Sequence, residues 1–264
     1  MTSEFLFWLA LPFKMAVTAA FVVAATTTAE RAGALIGALV ATLPIAAGPA
    51  YVFLALDHDV AFIATSALSS LAINAATAVF ALVYAFAAQR HGVLLAVATA
   101  LTAWTILAVV VRWFDWTLPG ALVLNVAVIS ACAAIGRHLR DVRMPLVTRR
   151  WYDVPLRAAM TALLVAVVVS LSGRVGPAVT GVLAVFPIVM TSLMVILQLR
   201  IGGKASAAVL VNTITGLAGF STCLVTLHLA AVPLGTPVAL TLALAVSIAA
   251  NLLIFAARRS GFPL

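Results

Sequence analysis

The chain has 264 residues, of which 65% are hydrophobic and only 8% are charged. A soluble domain carries about 25% charged residues, so this composition cannot supply a water-exposed surface. The mean hydropathy of +1.24 excludes soluble enzymes, nucleic-acid-binding domains and disordered proteins, and it indicates a polytopic membrane protein. The formal net charge of +8 arises from basic residues in the short gaps between apolar runs.

A helix of about twenty apolar residues crosses the ~30 Å hydrocarbon core of a bilayer. The sequence lacks the alternating pattern of a β-barrel, so we expect an all-α fold. Charged and turn-forming residues predict about nine transmembrane helices at 13–29, 33–56, 61–86, 93–111, 117–136, 157–173, 176–198, 205–229 and 235–257. Glu4 and the lack of a cleavage site argue against a secretory signal, so residues 1–13 are predicted to form an interfacial or frayed entry.

The basic residues orient the predicted spans. With nine spans, twelve of the fifteen Lys and Arg residues lie on one side of the membrane, half of them between Arg137 and Arg157. The positive-inside rule then places the C-terminus in the cytoplasm and the N-terminus outside, in the plasma (inner) membrane. The lipid bilayer is the expected partner, and Trp151 and Tyr152 of this loop are placed to contact anionic headgroups.

An internal repeat appears when the sequence is shifted by 143 positions. The matched pairs include Pro12 with Pro155, Lys14 with Arg157, Arg31 with Arg174, Gly33 with Gly176 and Gly92 with Gly235. We predict a first four-helix repeat at 1–112, a fifth helix with a basic cytoplasmic linker at 113–154, and a second repeat at 155–264. Because the fifth helix reverses the chain, the second repeat is inverted, as in many secondary transporters.

Each half carries a proline at the same place, Pro44 and Pro187, eleven residues after Gly33 and Gly176 respectively. Proline lacks an N–H and clashes with the preceding turn, so it kinks or breaks a helix. Either proline alone is typical of a plain kink. Two prolines at equivalent positions fit two interpretations equally well. One is a plain kink in each helix, and the other is a pair of discontinuous helices that line a cavity near mid-bilayer.

A weak family resemblance lies in the same segments. Arg157, the run GVLAVFPI at 181–188 and the run IGG at 201–203 resemble the small four-helix GlpM-like inner-membrane proteins. Residues 37–49 resemble the same element in the first half. The resemblance implies a fused tandem duplication of such a unit, and it carries over no catalytic or binding residue.

Uncharged polar residues supply the candidate substrate site, because the charged residues fall at the ends of the predicted spans, where long side chains can reach the surface. Hydrogen bonding between helices explains any one of these polar residues alone. Together with carbonyls freed by the prolines, they could bind a neutral or zwitterionic solute or a Na⁺ ion. The predicted set is Thr42, Pro44, Gly48, Ser70, Asn74, Pro187, Thr191, Ser192, Asn212 and Thr213.

Few other side chains suggest chemistry. The turn Asp57–His58–Asp59 is expected to be solvated, with cation binding as the alternative. Cys132 and Cys223 lie inside apolar runs and are expected to be small core residues. We predict no disulfide framework, metal site, cofactor or catalytic residue.

These features favour a secondary transporter that moves a small-molecule or ion substrate by alternating access between inverted repeats. A P-loop is absent, which argues against ATP hydrolysis within this chain. The alternatives are a non-transporting membrane partner or assembly subunit and, less well supported, an intramembrane enzyme, since HExxH and GxSxG motifs are absent. A nucleic-acid partner is not expected, while a homo-oligomer remains compatible with the sequence.

Overall fold

The computed structural model describes residues 3–31, 46–140, 142 and 150–259, which form helices and connecting segments without a β-strand. The predicted all-α fold is confirmed for these residues. The helices are α1 (Ser3–Arg31), α2 (Ala47–Asp57), α3 (Val60–Ala88), α4 (Val93–Arg112), α5 (Leu118–Gly136), α6 (Asp153–Ala184), α7 (Ile188–Ile214), α8 (Gly216–Leu234) and α9 (Thr236–Arg259). A 3₁₀ turn, Arg137–Leu139, follows α5.

Six stretches of the described chain are long and apolar enough to cross a membrane, at 10–28, 60–88, 93–112, 118–139, 153–234 and 236–257. The chain is therefore an all-α membrane protein. The stretch at 153–234 covers 82 residues, too many for one crossing, and it contains several breaks. The number of crossings does not follow from these lengths alone, so the count of nine stays a prediction.

Glycine residues break the long helices at defined points. Gly176 and Gly202 have φ values of 74° and 78°, with ψ values of 174° and 170°, so α6 and α7 each consist of two helical segments. This region of backbone conformation is open to glycine and almost closed to other residues. Pro187 lies at the junction that ends α6 and begins α7.

Helix α3 lies at the centre of the bundle and packs against α4, α5, α6, α7 and α8. In its spanning window 72% of the residues are buried, against 22% in the spanning windows of α4 and α9. Outside this centre, α1 packs against α6, and α9 packs against α8. Since α3 has protein on most sides, its polar side chains can find partners without facing lipid.

Two apolar clusters occupy the two ends of α3. Residues 63–72 of α3 join a cluster with Tyr51, Leu54 and Leu224, whereas residues 73–88 join a cluster with Trp104 and Leu210. Many of the buried positions are alanine, and such small side chains let membrane helices approach closely. Asn74 lies where the two clusters meet.

The predicted spans match the observed helices where local signals mark the ends. The spans at 61–86, 93–111, 117–136 and 235–257 agree within two residues with α3, α4, α5 and α9. Asp59, for example, begins α3 because its Oδ1 accepts a hydrogen bond of 2.8 Å from the Phe62 N–H. Side-chain acceptors of this kind satisfy the free N–H groups of a helix start.

Two helix ends differ from the simplest expectation. An interfacial or frayed entry was expected before residue 13; the chain is helical from Ser3, with Pro12 inside α1, which contradicts only the frayed alternative. Apolar residues on both sides of Pro12 favour continuing the helix, because helix satisfies most backbone groups internally. The predicted span at 176–198 is divided at Pro187, which agrees with the discontinuous-helix alternative, since one helical segment ends at Ala184 and the next begins at Ile188. The first part of the span at 33–56 lies outside the described residues.

Replacing Gly202 by alanine is expected to destabilise the fold by about 1–3 kcal/mol, the usual cost of a non-glycine residue at such a φ and ψ. The measurement is equilibrium unfolding in mixed detergent micelles. Gly173→Ala is the matched control, because Gly173 lies in α6 with helical backbone and a Cβ there would contact nothing within 4 Å. Equal stability of the two variants would contradict the assignment of strain to Gly202.

Candidate functional site

Polar side chains follow one another along the central helix α3. Ser66, Ser70, Asn74 and Thr77 are three or four residues apart, so they share one side of the helix. Tyr84 continues the line two turns further on. All five are buried, with 0–4% of each residue exposed. We call this line the polar seam, and its partners come from α2, α4, α5, α6, α7 and α8.

The first part of the polar seam binds the short helical segment that follows Gly176. Ser66 donates to the carbonyl of Pro177 at 3.0 Å, and Ser70 donates to the carbonyl of Gly181 at 2.6 Å. A Cβ on Gly181 would lie 2.2 Å from the Ser66 carbonyl oxygen. The two helices therefore approach this closely only because residue 181 is glycine.

Tyr51 joins α2 to the same place. Its hydroxyl lies 2.7 Å from Ser70 Oγ, and because Ser70 donates to Gly181, Tyr51 donates to Ser70. This chain of hydroxyls connects the broken helix α6, the central helix α3 and α2. The junction lies beside the glycine break at Gly176 and within the buried interior.

Asn74 forms the middle of the polar seam. Its Nδ2 lies 3.1 Å from Asn125 Oδ1, 3.2 Å from the carbonyl of Leu217 and 3.0 Å from Ser221 Oγ. Asn125 in turn donates to the Leu71 carbonyl at 2.6 Å. The amide group of Asn74 therefore joins α3 to both α5 and α8.

One oxygen in this group has no partner. Asn74 is fully buried, yet its Oδ1 accepts no hydrogen bond. If the Asn74 amide were turned over, its oxygen would face the Leu217 carbonyl, which has no proton to donate. The amide nitrogen of Asn74 therefore faces Leu217. An unpaired buried acceptor costs free energy unless a water or ligand supplies a donor or a cation.

The far end of the polar seam reaches α7. Tyr84 donates to Gln198 Oε1 at 2.9 Å, and its hydroxyl lies 3.1 Å from Ser206 Oγ. Gln198 donates to the carbonyl of His91 at 2.8 Å. Between these contacts and Asn74, the indole of Trp104 donates to Thr77 at 3.3 Å. The seam thus covers about two thirds of α3, from Ser66 to Tyr84.

A cavity of about 400 Å³ lies beside the Tyr51 end of the seam, between α1, α2, α8 and α9. Gly48 and Tyr51 border it from α2, and Cys223 and Leu224 border it from α8. Tyr51 is only 2% exposed and separates the cavity from Ser70. The described residues that line the cavity are almost entirely hydrocarbon.

Two ion pairs join neighbouring helices of the described chain, one between α1 and α2 and the other between α6 and α7. Lys14 Nζ of α1 is 2.6 Å from Asp57 Oδ2 at the end of α2. Asp153, which begins α6, accepts two hydrogen bonds from the Arg200 guanidinium of α7. Hydrogen bonds from Arg150 and then Arg200 lower the pKa of the neighbouring Tyr152 hydroxyl.

Both acids of the turn Asp57–His58–Asp59 are exposed, as expected, and the turn also makes structural contacts. Asp57 pairs with Lys14 and Asp59 begins α3, as described above. His58 Nε2 lies 2.7 Å from Ser172 Oγ of α6, and its ring stacks on Phe62. Each side chain has a structural partner because α1 and α6 pack against this end of the bundle.

The structure distributes the predicted site residues over different places. Ser70 and Asn74 belong to the polar seam, Gly48 borders the cavity, and Pro187 is buried at the break between α6 and α7. Thr42 and Pro44 lie outside the described residues. The remaining four side chains bond to carbonyls of their own helix and do not join the seam: Thr191, Ser192, Asn212 and Thr213.

Several members of the site were not predicted from the sequence. Tyr51 stands alone among apolar residues and Ser221 is followed by Thr222, and the contacts of both depend on which helices are neighbours. Gly181 offered a usable signal, because a glycine four residues after Pro177 in an apolar run is typical of a close helix crossing. Cys132 and Cys223 are buried and free, in agreement with their predicted place in the core.

Among the described residues, no group of three or more His, Cys, Asp or Glu side chains could hold a metal ion. Neither a family model, nor a curated protein, nor a solved structure matches this chain. We therefore infer function from the geometry of the seam, the cavity and the ion pairs.

Asn74→Ala is expected to lower the free energy of unfolding by about 1–3 kcal/mol, because it leaves buried partners on α5 and α8 without their donor. Asn212→Ala is the matched control, since its amide bonds only to the Ala208 carbonyl of its own helix. Unfolding of both variants in mixed micelles checks the difference. If Asn212→Ala costs as much as Asn74→Ala, the central role of Asn74 is wrong.

Proposed function

We propose that the chain is a secondary transporter of a small solute, built from two inverted repeats and working by alternating access. The substrate site in this proposal lies at the middle of the polar seam, near mid-bilayer. The observation that carries the proposal is the contact between Asn74 and Leu217, which are 143 residues apart.

That contact supports a two-fold relation between the halves. The sequence repeat pairs residue 74 with residue 217, so the Asn74 side chain bonds to the backbone of its own counterpart. When two copies are related by a two-fold axis, only residues near the axis touch their counterparts. The helices pack in the same sense, since α1 contacts α6 and α3 contacts α8.

Helix starts agree with the same spacing. Helix α3 begins at Val60, and the helical segment after the Gly202 break begins at Gly203. Helix α4 begins at Val93 and α9 begins at Thr236. Both pairs are separated by the shift that aligns the sequences. A fused duplication of a four-helix unit, as the GlpM-like resemblance implies, accounts for this agreement.

The two ion pairs also occupy corresponding places. Asp57 and Arg200 are counterparts in the repeat, and each pairs with a residue of the first helix of its half. The charges are exchanged between the two pairs. The first helix supplies the base, Lys14, in one half and the acid, Asp153, in the other. Each pair fixes a broken or short helix to the first helix, so that each half can move as a unit.

The chemistry of the seam defines the class of solute. Its side chains are Ser, Thr, Asn and Tyr, which carry no charge, and the fully buried Asn74 Oδ1 offers a free acceptor. Such a site suits a neutral or zwitterionic solute with a donor group, or a Na⁺ ion. The break at Pro187 is buried rather than directed at lipid, which favours a role inside the protein.

The orientation follows from the distribution of basic residues. We place the C-terminus in the cytoplasm and the N-terminus outside, with the ion pair of Asp153 on the cytoplasmic side and that of Asp57 on the outer side. Inverted repeats then present the seam to each side in turn. Assembly into homo-oligomers is compatible with this arrangement.

Accessibility of Ser70 tests the proposal without knowledge of the substrate. In a chain carrying Cys132→Ser and Cys223→Ser, we expect Ser70→Cys in oriented vesicles to react with a membrane-impermeant thiol reagent added to either side. The rate should be about 0.1–10% of that of a free thiol, the usual population of a minor conformation. Ala81→Cys is the control, because Ala81 is equally buried on α3 among apolar side chains.

Two results would contradict alternating access. One is a Ser70→Cys thiol that stays unreactive from both sides while the protein remains folded. The other is equal reactivity of Ala81→Cys, which would indicate general unfolding rather than an opening path. In the first case, co-purification of a stoichiometric membrane protein would favour the assembly-subunit alternative.

A further inference from the structure

The cavity beside α2 opens sideways, toward the lipid-facing surface of the helix bundle. Val17 and Phe21 of α1, Val52 of α2 and Leu244 of α9 border it. These four residues are 41–46% exposed, so they form its mouth. Leu224, on the opposite wall, is only 1% exposed. The cavity therefore extends from the surface that faces acyl chains into the interior of the protein.

The described walls offer no site for water. The Tyr51 hydroxyl is already bonded to Ser70, and Thr241 Oγ1 bonds to carbonyls of its own helix. Among the described residues that line the cavity, no side chain is charged. A buried water needs two to four polar partners, and these walls do not supply them.

An empty cavity of this size is also disfavoured. The cost of an apolar cavity rises with its volume, and an apolar cavity of about 150 Å³ already stays free of water and binds benzene. The volume here is about 400 Å³, within the usual range for small-molecule pockets. In a bilayer, the abundant molecule that can fill it is hydrocarbon.

One end of the cavity lies close to a pair of charged side chains. Phe53 lines the cavity, and Lys14 Nζ is 5.9 Å from the centre of the Phe53 ring. Lys14 pairs with Asp57, so this end presents a positive and a negative group side by side. A chain that enters the cavity would have its polar end near this pair.

We propose that the cavity binds an acyl chain of a membrane phospholipid, which enters between α1 and α9 with its headgroup toward the Lys14–Asp57 pair. The site is independent of transport, because it requires only the static cavity and its lipid-facing mouth. It differs from the polar seam, from which Tyr51 separates it.

Photochemical labelling tests this binding. The full chain is reconstituted in phosphatidylcholine vesicles that contain a lipid with a diazirine in mid-chain. On illumination the diazirine loses N₂, and the carbene inserts into a nearby C–H bond. We expect adducts on Leu224 and Leu227, which are 1% and 2% exposed and cannot be reached by lipid at the outer surface.

A variant whose new side chain fills the cavity should be labelled less at the buried residues. Gly48→Leu places its side chain where a Cβ meets nothing within 4 Å, so the fold is expected to remain intact. The yield at Leu224 and Leu227 should fall about tenfold, because displacing roughly two buried methylene groups is worth this much in affinity. Gly173→Leu, on an exposed part of α6 away from the cavity, should leave the yield unchanged.

Two outcomes would overturn the proposal. In the first, the wild-type protein carries adducts only on exposed residues such as Leu244 and Leu253. In the second, the yield at Leu224 is the same in Gly48→Leu and in wild type. Should the thiol at Ser70→Cys stay unreactive while these adducts form, transport would be refuted and lipid binding retained.

Discussion

The structure depends on one requirement: polar groups inside a membrane must have partners within the protein. Water is absent from the hydrocarbon core, so an unpaired N–H, carbonyl or amide there is costly. Helix α3 meets this requirement by placing its polar residues on one side, where six other helices supply their partners. Asn74 is the clearest case, since its amide nitrogen holds α5 and α8 against α3 at one point.

The same requirement explains how the broken helices are tolerated. Glycine at 176 and 202 allows a sharp change of direction that another residue would resist. The segment after Gly176 is then held by hydrogen bonds from Ser66 and Ser70 to its carbonyls. Gly181 makes this possible, because any side chain there would collide with the backbone of α3. The helix breaks and the polar seam are therefore linked, because the seam encloses the irregular backbone and bonds to its carbonyls.

The apolar and polar parts of the structure have different surroundings. The polar seam is enclosed and carries no charge, the ion pairs lie near helix ends, and the cavity of about 400 Å³ opens to lipid. In the proposed transporter, the ion pairs keep each half rigid and the uncharged seam lets the halves separate at modest electrostatic cost. A bound acyl chain would complete the packing between α1 and α9 without contact with the solute path.

The sequence by itself determined the class of protein and most helix ends. Hydropathy, Asp59 and the gap before Val93 are local signals, and they placed α3, α4, α5 and α9 within two residues. Tertiary structure decided which polar residues act together. Asn74 and Asn212 are both asparagines in apolar runs, yet only Asn74 bonds to other helices. Sequence shows that a polar residue must have a partner, whereas helix packing alone decides which residue that partner is.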